Sequence, residues 1–282
     1  MKRILIAGKD SYIGGRLAAR LDATRFQCDT LEMRGANWRS HDFSAYDSVV
    51  LVAGIAHRKE TGDNRALYDR VNHRLAAEVG EKAKREGVRQ FVFFSSMSVY
   101  GVEVGRIHAD TPVRPATAYG QSKLDAEKAL TALLDGAFHV AILRPPMIYG
   151  PGCKGNYPRL SRLIRKLRVF PRVQNERSML YIDTLCAFMD SLLQSGEGGL
   201  YFPQNSAFVS TDDLALAVAK AHGMGLLRPR GFGWLLQWLG KRGGTIGKVF
   251  GTLTYDMSMS LQFMPREQPE FQQTILDSEA AE

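Results

Sequence analysis

The sequence is poor in cysteine, and this excludes two kinds of small scaffold. Cys28, Cys153 and Cys186 are odd in number, lie far apart and form no CxxC pair. This spacing argues against a disulfide framework and a structural zinc site, and it suits a reducing cytoplasm. A chain of 282 residues also buries a core large enough to fold without such cross-links. We therefore expect neither disulfides nor a bound metal.

Long hydrophobic runs are missing as well. Met1, Lys2 and Arg3 lead directly into a short apolar segment, which is too brief for the core of a signal peptide. No stretch approaches the run of about 18 apolar residues that a membrane-spanning helix requires. These two absences favour a cytoplasmic protein.

Acidic residues are outnumbered by basic ones, and much of the excess lies in one segment. The 37 Lys and Arg residues against 29 Asp and Glu residues give a net charge of +8. Between Pro158 and Arg177 a single acid, Glu176, stands among Arg159, Arg162, Arg165, Lys166, Arg168, Arg172 and Arg177. On a helix, the side opposite these cations is predicted to be an apolar stripe, formed by Leu160, Leu163, Ile164 and Leu167. The segment is typical of a solvated basic face, but it also fits attraction of an anionic small molecule and, less readily, of nucleic acid or a membrane.

Short apolar runs alternate with helical patterns in the first half of the chain. The predicted strands are Arg3–Ala7, Val49–Ala53, Arg89–Ser95 and His139–Leu143, and the clearest predicted helix is Leu67–Arg85. This alternation predicts an α/β fold, with a Rossmann-type, doubly wound parallel sheet covered by helices on both faces. The pattern loosens later, so we expect one domain over residues 1–150 and a smaller region over 151–282, parts of which return to the first domain.

A glycine-bearing turn, GKDSYIG, lies between the first predicted strand and a helical pattern. Such a turn aims backbone N–H groups and the helix dipole at a pyrophosphate, with Gly8 making the tight turn and Gly14 allowing close packing on the sheet. Ser11 stands where a third glycine is expected, and serine is small, caps helices well and adds a hydroxyl. It therefore modifies the phosphate-binding motif without removing it, although such turns also occur without a ligand.

Tyr119 and Lys123 lie four residues apart at the start of a predicted helix, in AYGQSK. This spacing places both on one helix face, where the ammonium can stabilise the phenolate and lower a pKa that is ordinarily near ~10. SSMSVYG ends the third predicted strand, and the carboxyl ends of parallel strands line the ligand crevice. Ser96, Ser98 and Tyr119 are therefore expected to converge there, although a surface pair with this spacing also arises by chance.

Together, these motifs resemble those of the extended short-chain dehydrogenase/reductases of the NAD-dependent epimerase/dehydratase family. The resemblance covers roughly residues 2–215 and rests on the glycine turn, VAGIAH, VNHR, FFSSMSVYG, AYGQSK, LRPPMIYGPG and ERSMLYID, which occur in the family's order. It implies that residues 1–150 bind NAD or NADP. It also implies that the remainder mainly binds the substrate, a nucleotide-diphosphate sugar.

The resemblance implies catalytic roles as well. Ser96 would orient the sugar hydroxyl, Tyr119 would act as general base or acid, and Lys123 would lower the pKa of Tyr119 while binding the nicotinamide ribose. The family's 4,6-dehydratases carry an acidic pair directly after this serine, where Met97 and Ser98 stand here. Dehydratase activity is therefore not expected.

On the substrate side, Arg177 matches an arginine with which the family grips the nucleotide diphosphate, with a structural salt bridge as the alternative. Met147 replaces an asparagine that often touches this diphosphate, so we expect Asn156 to supply part of the contact. His57 falls on a loop over the cofactor, either as a substrate-facing residue or as a structural one. Ser98 completes the predicted substrate contacts.

The predicted cofactor contacts run from the glycine turn to the end of the fourth predicted strand. They are Gly8, Ser11, Tyr12, Ile13, Gly14, Glu32, Arg34, Asp42, Phe43, Ala53, Asn72, Tyr119, Lys123 and Pro145. Glu32 favours the free ribose hydroxyls of NAD and Arg34 the phosphate of NADP, and on balance we favour NAD. Asp42 resembles the family's adenine-contacting aspartate, and Asn72 its helix asparagine near the cofactor.

The segment 228–242 is rich in tryptophan, leucine and basic residues. This composition fits weak contact with an anionic membrane surface, but it fits packing on the substrate region or on a partner subunit better. The polar end EFQQTILDSEAAE is expected to be partly disordered. We expect the protein to form a homodimer.

The function that fits these features is oxidation and re-reduction of a nucleotide sugar at C4, as in a UDP-sugar 4-epimerase. The alternative is an NADPH-dependent reductase of a nucleotide 4-keto-sugar in surface polysaccharide synthesis. A cofactor-binding protein without catalysis is a third possibility, which the set Ser96, Tyr119 and Lys123 argues against. A nucleic-acid-binding protein fits least, because the basic segment lacks interleaved aromatic residues.

Overall fold

The computed structural model describes residues 1–56, 62–229 and 244–280. Its strands, in chain order, are β1 Lys2–Ala7, β2 Phe26–Leu31, β3 Ser48–Leu51, β4 Gln90–Phe94, β5 Gly105–Ile107, β6 His139–Leu143, β7 Met147–Tyr149, β8 Met179–Tyr181, β9 Gly199–Tyr201 and β10 Leu253–Tyr255. Within these residues, six strands form a parallel sheet in the order β2-β1-β3-β4-β6-β9, while β5 pairs with β10 and β7 with β8. The predicted Rossmann-type sheet is confirmed.

Helices connect the strands and cover the sheet. They are α1 Tyr12–Arg20, α2 Gly62–Tyr68, α3 Leu75–Arg85, α4 Ala118–Thr131, α5 Asn156–Leu167, α6 Ile182–Ser195, α7 Thr211–Ala221, α8 Gly244–Phe250 and α9 Phe271–Ala280. A π-helical segment, Asp69–Arg74, joins α2 to α3, so the predicted helix Leu67–Arg85 begins earlier than its apolar pattern suggests. None of the helices that the structure describes is long and apolar enough to cross a bilayer.

The central strands are buried on both faces, and this explains why they are continuous apolar runs rather than alternating ones. Along β1, Ile4 and Ile6 join the core that includes α1 and α6, whereas Leu5 and Ala7 join the core beneath α3 and α4. Successive side chains of a strand point to opposite faces, so every position of such a strand must be apolar.

The strand order reverses at β1, which has β2 on one side and β3 on the other. In open parallel sheets, ligands bind at the carboxyl ends of the strands beside such a reversal. The turn that follows β1 and the loop that follows β3 therefore face the candidate site.

Most of the polar end of the sequence forms the helix α9, so the prediction of partial disorder is wrong for these residues. The carboxylate of Glu279 accepts hydrogen bonds from the hydroxyls of Tyr157 at 2.5 Å and Ser161 at 2.7 Å, and it lies 2.7 Å from Nε2 of His222. Burial opposes ionisation of Glu279, but these hydrogen bonds outweigh it and lower the pKa of the carboxyl. The sequence does not reveal this because the partners lie in α5 and at the end of α7.

Glu279→Ala is expected to lower the free energy of unfolding by about 2–3 kcal/mol, because the buried hydroxyls of Tyr157 and Ser161 lose their acceptor. Since the folded pKa of Glu279 is lowered, its contribution is complete above the unfolded pKa of about 4.3 and is lost as the pH falls through the folded value. Urea unfolding at neutral and acidic pH measures this, with Gln273→Ala, exposed on the same helix, as control. Equal stability of the two variants at neutral pH would contradict the assignment.

Candidate active site

The turn after β1 brings backbone segments into close contact at its two glycines. Gly8 has a φ of +131°, and a Cβ at this position would lie 2.7 Å from the backbone nitrogen of Ala53. A Cβ at Gly14 would lie 2.8 Å from the carbonyl oxygen of Gly8. Ser11 caps α1, because its Oγ accepts a hydrogen bond from the Gly14 N–H at 2.9 Å. The serine thus fixes the first turn of α1. Because its Oγ is the acceptor in this bond, its hydroxyl proton is not used there.

Tyr12 and Ile13 form the first turn of α1, and both are partly buried. The hydroxyl of Tyr12 is buried and has no hydrogen-bond partner among the residues that the structure describes. Burial, followed by the nearby thiol of Cys153, raises the pKa of Tyr12. Burying a phenol hydroxyl without a hydrogen-bond partner costs about 1–3 kcal/mol, because its lost hydration is not replaced. This hydroxyl is therefore suited to a hydrogen bond with a polar group of a ligand.

Tyr119 is placed by the close packing of α4 on the short helix Met97–Tyr100, which follows β4. Gly120 makes this approach possible, since a Cβ there would lie 2.6 Å from the carbonyl oxygen of Ser98. Ser96 caps the short helix, and its hydroxyl forms a hydrogen bond with Tyr119. The structure therefore brings Ser96 and Tyr119 together at the carboxyl end of β4.

The protein alone keeps the phenol of Tyr119 protonated at neutral pH. Burial raises its pKa, the hydrogen bond with Ser96 lowers it, and Tyr68, whose ring centre lies 5.9 Å away, raises it again. Lys123 does not supply the predicted lowering, because its ammonium donates instead to the carbonyl oxygen of Phe94 at 2.7 Å. Conversion to phenolate therefore requires a further positive charge beside the ring.

Lys123 is almost fully buried at the carboxyl end of the central strands. Its ammonium lies 4.6 Å above the ring of Phe93, and burial lowers its pKa to about 8 against the opposing effect of Glu127. A Cβ at Gly54 would lie 3.5 Å from Nζ, so the ammonium also reaches the loop after β3. Lys123 thus stands where the carboxyl ends of β3 and β4 meet.

Asn72 holds the loop after β3 against α4. Its Oδ1 accepts a hydrogen bond from the Ile55 N–H at 2.8 Å, and its Nδ2 donates to the Ile55 carbonyl at 3.0 Å and to Ser122 Oγ at 3.2 Å. It lies in the π-helical segment, a local deviation that is frequent at functional sites. Because its polar atoms bond to the protein, Asn72 positions the site.

Arg177 lies in a short extended segment that bridges Val209 and Leu253. Burial lowers the pKa of its guanidinium, whose Nη1 donates to the carbonyl oxygen of Gly251 at 3.1 Å. Within the described part of the chain no carboxylate pairs with it, so the structural salt bridge is not found there. The remaining donors of this guanidinium suit an anionic ligand.

Residues 4–201 match the family model described as NAD dependent epimerase/dehydratase family. The chain belongs to this family. It is similar to UDP-glucose 4-epimerase of Vibrio cholerae, with 29% identity over 236 residues that cover 79% of this chain and 72% of that one. It is also 29% identical over 161 residues to N-acetyl-alpha-D-glucosaminyl-diphospho-ditrans,octacis-undecaprenol 4-epimerase of Escherichia coli O157:H7. That match covers 55% of this chain and 48% of the relative.

Solved structures share the fold. UDP-Glucuronic acid 4-epimerase from Bacillus cereus, in complex with NAD, aligns with a TM-score of 0.76 over 99% of this chain and 96% of that chain. The sequences are 18% identical, so this likeness concerns the fold alone. The family match, rather than the similarity to solved structures, shows that the chain is an enzyme of the extended short-chain dehydrogenase/reductase type.

The family implies a nicotinamide dinucleotide, and the residues present fit one. The capped turn of Gly8 and Gly14 leaves N–H groups at the start of α1, and the hydroxyl of Tyr12 is unpaired within the described residues. Past the end of β2 lies a cleft of about 330 Å³. It is lined by Leu31, Glu32, Arg34, Asn37, Trp38, Ser40 and His41.

Glu32 and Arg34 have different surroundings in this cleft. The carboxylate of Glu32 accepts a hydrogen bond from the Arg34 N–H at 2.8 Å, and this bond lowers the pKa of Glu32. The guanidinium of Arg34 is 81% exposed and lies 3.4 Å from the carboxylate of Asp10. An ionised acceptor is thus fixed at the cleft, whereas the cation is loosely held.

The predicted cofactor contacts Phe43 and Asp42 are neighbours in the chain, but only Asp42 is exposed. Phe43 is fully buried, and its N–H donates to the carboxylate of Glu86 at 2.8 Å. Neither its ring nor its N–H is available to a ligand, so the prediction of Phe43 as a cofactor contact is corrected. Asp42 is exposed and accepts a hydrogen bond from the Ser44 N–H at 2.8 Å.

Backbone groups at strand ends tie the loops of the site together. The Ala53 N–H donates to the Ala7 carbonyl at 3.0 Å, which joins the loop after β3 to β1. The carbonyl of Pro145, a buried residue after β6, accepts a hydrogen bond from the Met97 N–H at 3.1 Å. Ala53 and Pro145 thus set the shape of the crevice through the main chain.

Few contacts within the protein hold the remaining residues that were predicted to bind the substrate. Ser98 accepts a hydrogen bond from the hydroxyl of Ser96 at 3.1 Å. Asn156 is exposed at the first position of α5, and Met147 begins β7. His57 lies outside the described residues.

A buried ion pair beneath the site was missed by the sequence analysis. Arg144 donates to Glu127 through Nε at 3.0 Å and Nη2 at 2.6 Å, and through Nη1 to the hydroxyl of Tyr100 at 2.9 Å. Ser95 also donates to Glu127. The sequence contains one indication of this ion pair. Glu127 comes four residues after Lys123 and therefore lies on the same inward face of α4. This pair fixes α4 against the ends of β4 and β6.

The basic segment forms α5, but its apolar residues are not all buried. Ile164 is buried, whereas Leu163 and Leu167 are exposed, so the apolar stripe predicted opposite the basic face is buried only in part. Of the segment 228–242, residues 230–242 lie outside the described residues. Arg228, at its start, pairs with Asp212.

Proposed function

We propose that this chain is a nucleotide-sugar 4-epimerase that acts on a UDP-sugar. The observation that carries the proposal is the placement of Ser96, Tyr119 and Lys123 where the carboxyl ends of the adjacent strands β3 and β4 meet. A cofactor-binding protein without catalysis does not need a phenol hydrogen-bonded to a serine at this place. This placement therefore argues for proton transfer at a sugar hydroxyl.

The proton steps follow from these side chains. NAD, when bound, supplies a hydride acceptor and a positive ring charge that lowers the pKa of the Tyr119 phenol. Oη of Tyr119 takes the proton of the C4 hydroxyl, and Oγ of Ser96 holds that hydroxyl in place. Nζ of Lys123, which donates to the carbonyl oxygen of Phe94 and is charged below its pKa of about 8, would bind the nicotinamide ribose. Tyr119 returns the proton to the same oxygen when the sugar is reduced again.

Water elimination from the sugar is not expected of this site. Met97 and Ser98 follow Ser96, and neither side chain carries a carboxylate for acid–base chemistry at neutral pH. The buried carboxylate of Glu127 is bound by Arg144 and Ser95 and so is not free to act as an acid.

The test is incubation of the purified protein with a panel of UDP-sugars, with product followed by NMR and the cofactor by absorbance. A 4-epimerase interconverts two sugars without net change of NAD. Stoichiometric loss of NADPH with a 4-keto-sugar would instead establish the reductase. Absence of turnover with every sugar of both kinds would reject the proposed function.

A sugar diphosphate carried on a polyprenol is a second candidate substrate. The Escherichia coli O157:H7 relative is named as an epimerase of such a molecule. Arg177 suits the diphosphate, which both substrate classes share, and the exposed leucines of α5 favour a lipid-linked one. The panel therefore includes a polyprenyl-diphosphate sugar in detergent.

NAD is expected to bind at least about tenfold more tightly than NADP. The ionised carboxylate of Glu32, fixed at the cleft, accepts hydrogen bonds from ribose hydroxyls and repels a 2′-phosphate. Titration calorimetry with both dinucleotides measures the ratio, and Glu32→Ala should reduce it. Tighter binding of NADP to the wild-type protein would assign the dominant role to Arg34.

Arg177→Ala is expected to weaken UDP binding by about 10- to 100-fold and to raise KM more than it lowers kcat. The reason is the loss of a partly buried guanidinium that has no described carboxylate partner and can bind the diphosphate. Competition by UDP and steady-state kinetics measure this, with Arg172→Ala, an exposed arginine of the same segment, as control. Unchanged UDP affinity in Arg177→Ala would show that this guanidinium is structural.

A further inference from the structure

The outward face of α5 combines cations with leucines. Its members recur at spacings of three and four residues and therefore share one side of the helix: Arg159, Arg162, Leu163, Lys166 and Leu167. Leu163 is 45% exposed and Leu167 is 55% exposed. The opposite side of the helix buries Tyr157, Ser161 and Ile164, so these leucines are not part of the core.

The apolar part of this face continues beyond the helix. Arg168 ends α5, and Val169 then pairs with Leu227 in a parallel bridge. Side chains of directly bridged residues project from the same side of the pair. Val169 is 41% exposed and Leu227 is 66% exposed. We call these four apolar residues, with the exposed cations Arg159, Arg162, Lys166, Arg168 and Arg172, the α5 face.

The cations of the α5 face are not balanced by nearby acids. α5 contains no acidic residue, and among the described residues none of these five cations forms an ion pair with a carboxylate. Glu176, the next acid along the chain, pairs with Arg106, and Asp212 of the neighbouring helix α7 pairs with Arg228. Arg168 also has a φ of +53°, a conformation that favours glycine. The chain thus has an arginine at a position where the backbone conformation would favour a glycine.

We propose that the α5 face binds the surface of a membrane that contains anionic lipids. The leucines enter the boundary between headgroups and acyl chains, while the cations lie among the anionic headgroups, as in interfacial amphipathic helices. A second copy of this chain fits less well, because a two-fold contact would place like charges opposite each other. A nucleic acid offers the leucines no apolar surface, and the α5 face has no aromatic side chains on which bases could stack.

The test is flotation of the purified chain with vesicles of phosphatidylglycerol and phosphatidylcholine, compared with vesicles of phosphatidylcholine alone. The wild-type chain is expected to float with the anionic vesicles and to be released as the salt concentration rises. Arg162→Gln with Lys166→Gln is expected to lower the partition coefficient about 25-fold, at about fivefold for each cation. Leu163→Glu with Leu167→Glu is expected to abolish flotation.

Leu134→Glu is the matched control, because Leu134 is 46% exposed in the loop after α4 and lies outside the α5 face. It is expected to float like the wild-type chain, and equal melting temperatures verify that all variants fold. A wild-type chain that does not float, or flotation that persists in the Leu163 and Leu167 variant, overturns the proposal. The proposal is also overturned if the wild-type chain does not bind vesicles and the Leu163 and Leu167 variant instead changes from dimer to monomer or loses RNA binding. Flotation requires no turnover, so its outcome is independent of the proposed function.

Discussion

Tyr119→Phe is expected to lower kcat by about 10²- to 10⁴-fold, whereas KM changes much less. The substitution removes only the hydroxyl that exchanges a proton with the sugar, and it leaves the packing of the ring against Tyr68 in place. Because burial already keeps the wild-type phenol protonated in the protein alone, the loss appears in the chemical step rather than in binding. Steady-state and single-turnover kinetics on the best sugar of the panel measure the effect.

Tyr68→Phe is the control for this substitution. Tyr68 is a buried tyrosine whose ring lies 5.9 Å from that of Tyr119, so its variant has the same chemical change in the same surroundings. We expect its kcat to stay within about threefold of the wild type, because this phenol has no proton to exchange with substrate. Full turnover by Tyr119→Phe on every accepted sugar would show that the proposed proton transfer is wrong.

The parallel sheet could be predicted because its signals are local. Segments such as Val49–Ala53 are short and apolar at every position, as a strand covered on both faces requires. The turn after β1 could be interpreted for the same reason, since Gly8 and Gly14 act through the backbone of their immediate neighbours. Where a few adjacent residues determine the geometry, the sequence contains enough information.

The parts that could not be predicted depend on contacts between distant residues. β5 and β10 have only three residues each, so neither has a recognisable pattern of its own, and they pair across about half of the chain. Phe43 follows the exposed Asp42 in a segment without periodicity, and only the folded core shows that its ring is buried. The exposure of Leu163 likewise depends on what packs against α5, because helical spacing alone does not distinguish an apolar residue beside the core from one at the surface.

The buried pair of Glu127 and Arg144 leads to the second large expected effect. Glu127→Ala should lower the free energy of unfolding by about 3–5 kcal/mol, because it leaves the guanidinium of Arg144, which is 7% exposed, without its carboxylate. Urea unfolding measures this. Lys128→Ala, at an exposed neighbouring position of α4, is the control and is expected to lie within about 0.5 kcal/mol of the wild type. A Glu127→Ala variant as stable as this control would show that the pair does not anchor α4.

Removing both charges should destabilise less than removing one. Glu127→Leu with Arg144→Met leaves no uncompensated buried charge, so it is expected to be more stable than Glu127→Ala. Its activity should still differ from that of the wild type, because the carboxylate of Glu127 opposes the effect of burial on Lys123. Without that carboxylate the pKa of Lys123 falls below its value of about 8, and the ammonium that would hold the nicotinamide ribose is lost at a lower pH. The alkaline limit of kcat should therefore move to lower pH in the double variant, and an unchanged limit would show that the charge of Lys123 does not act in the reaction.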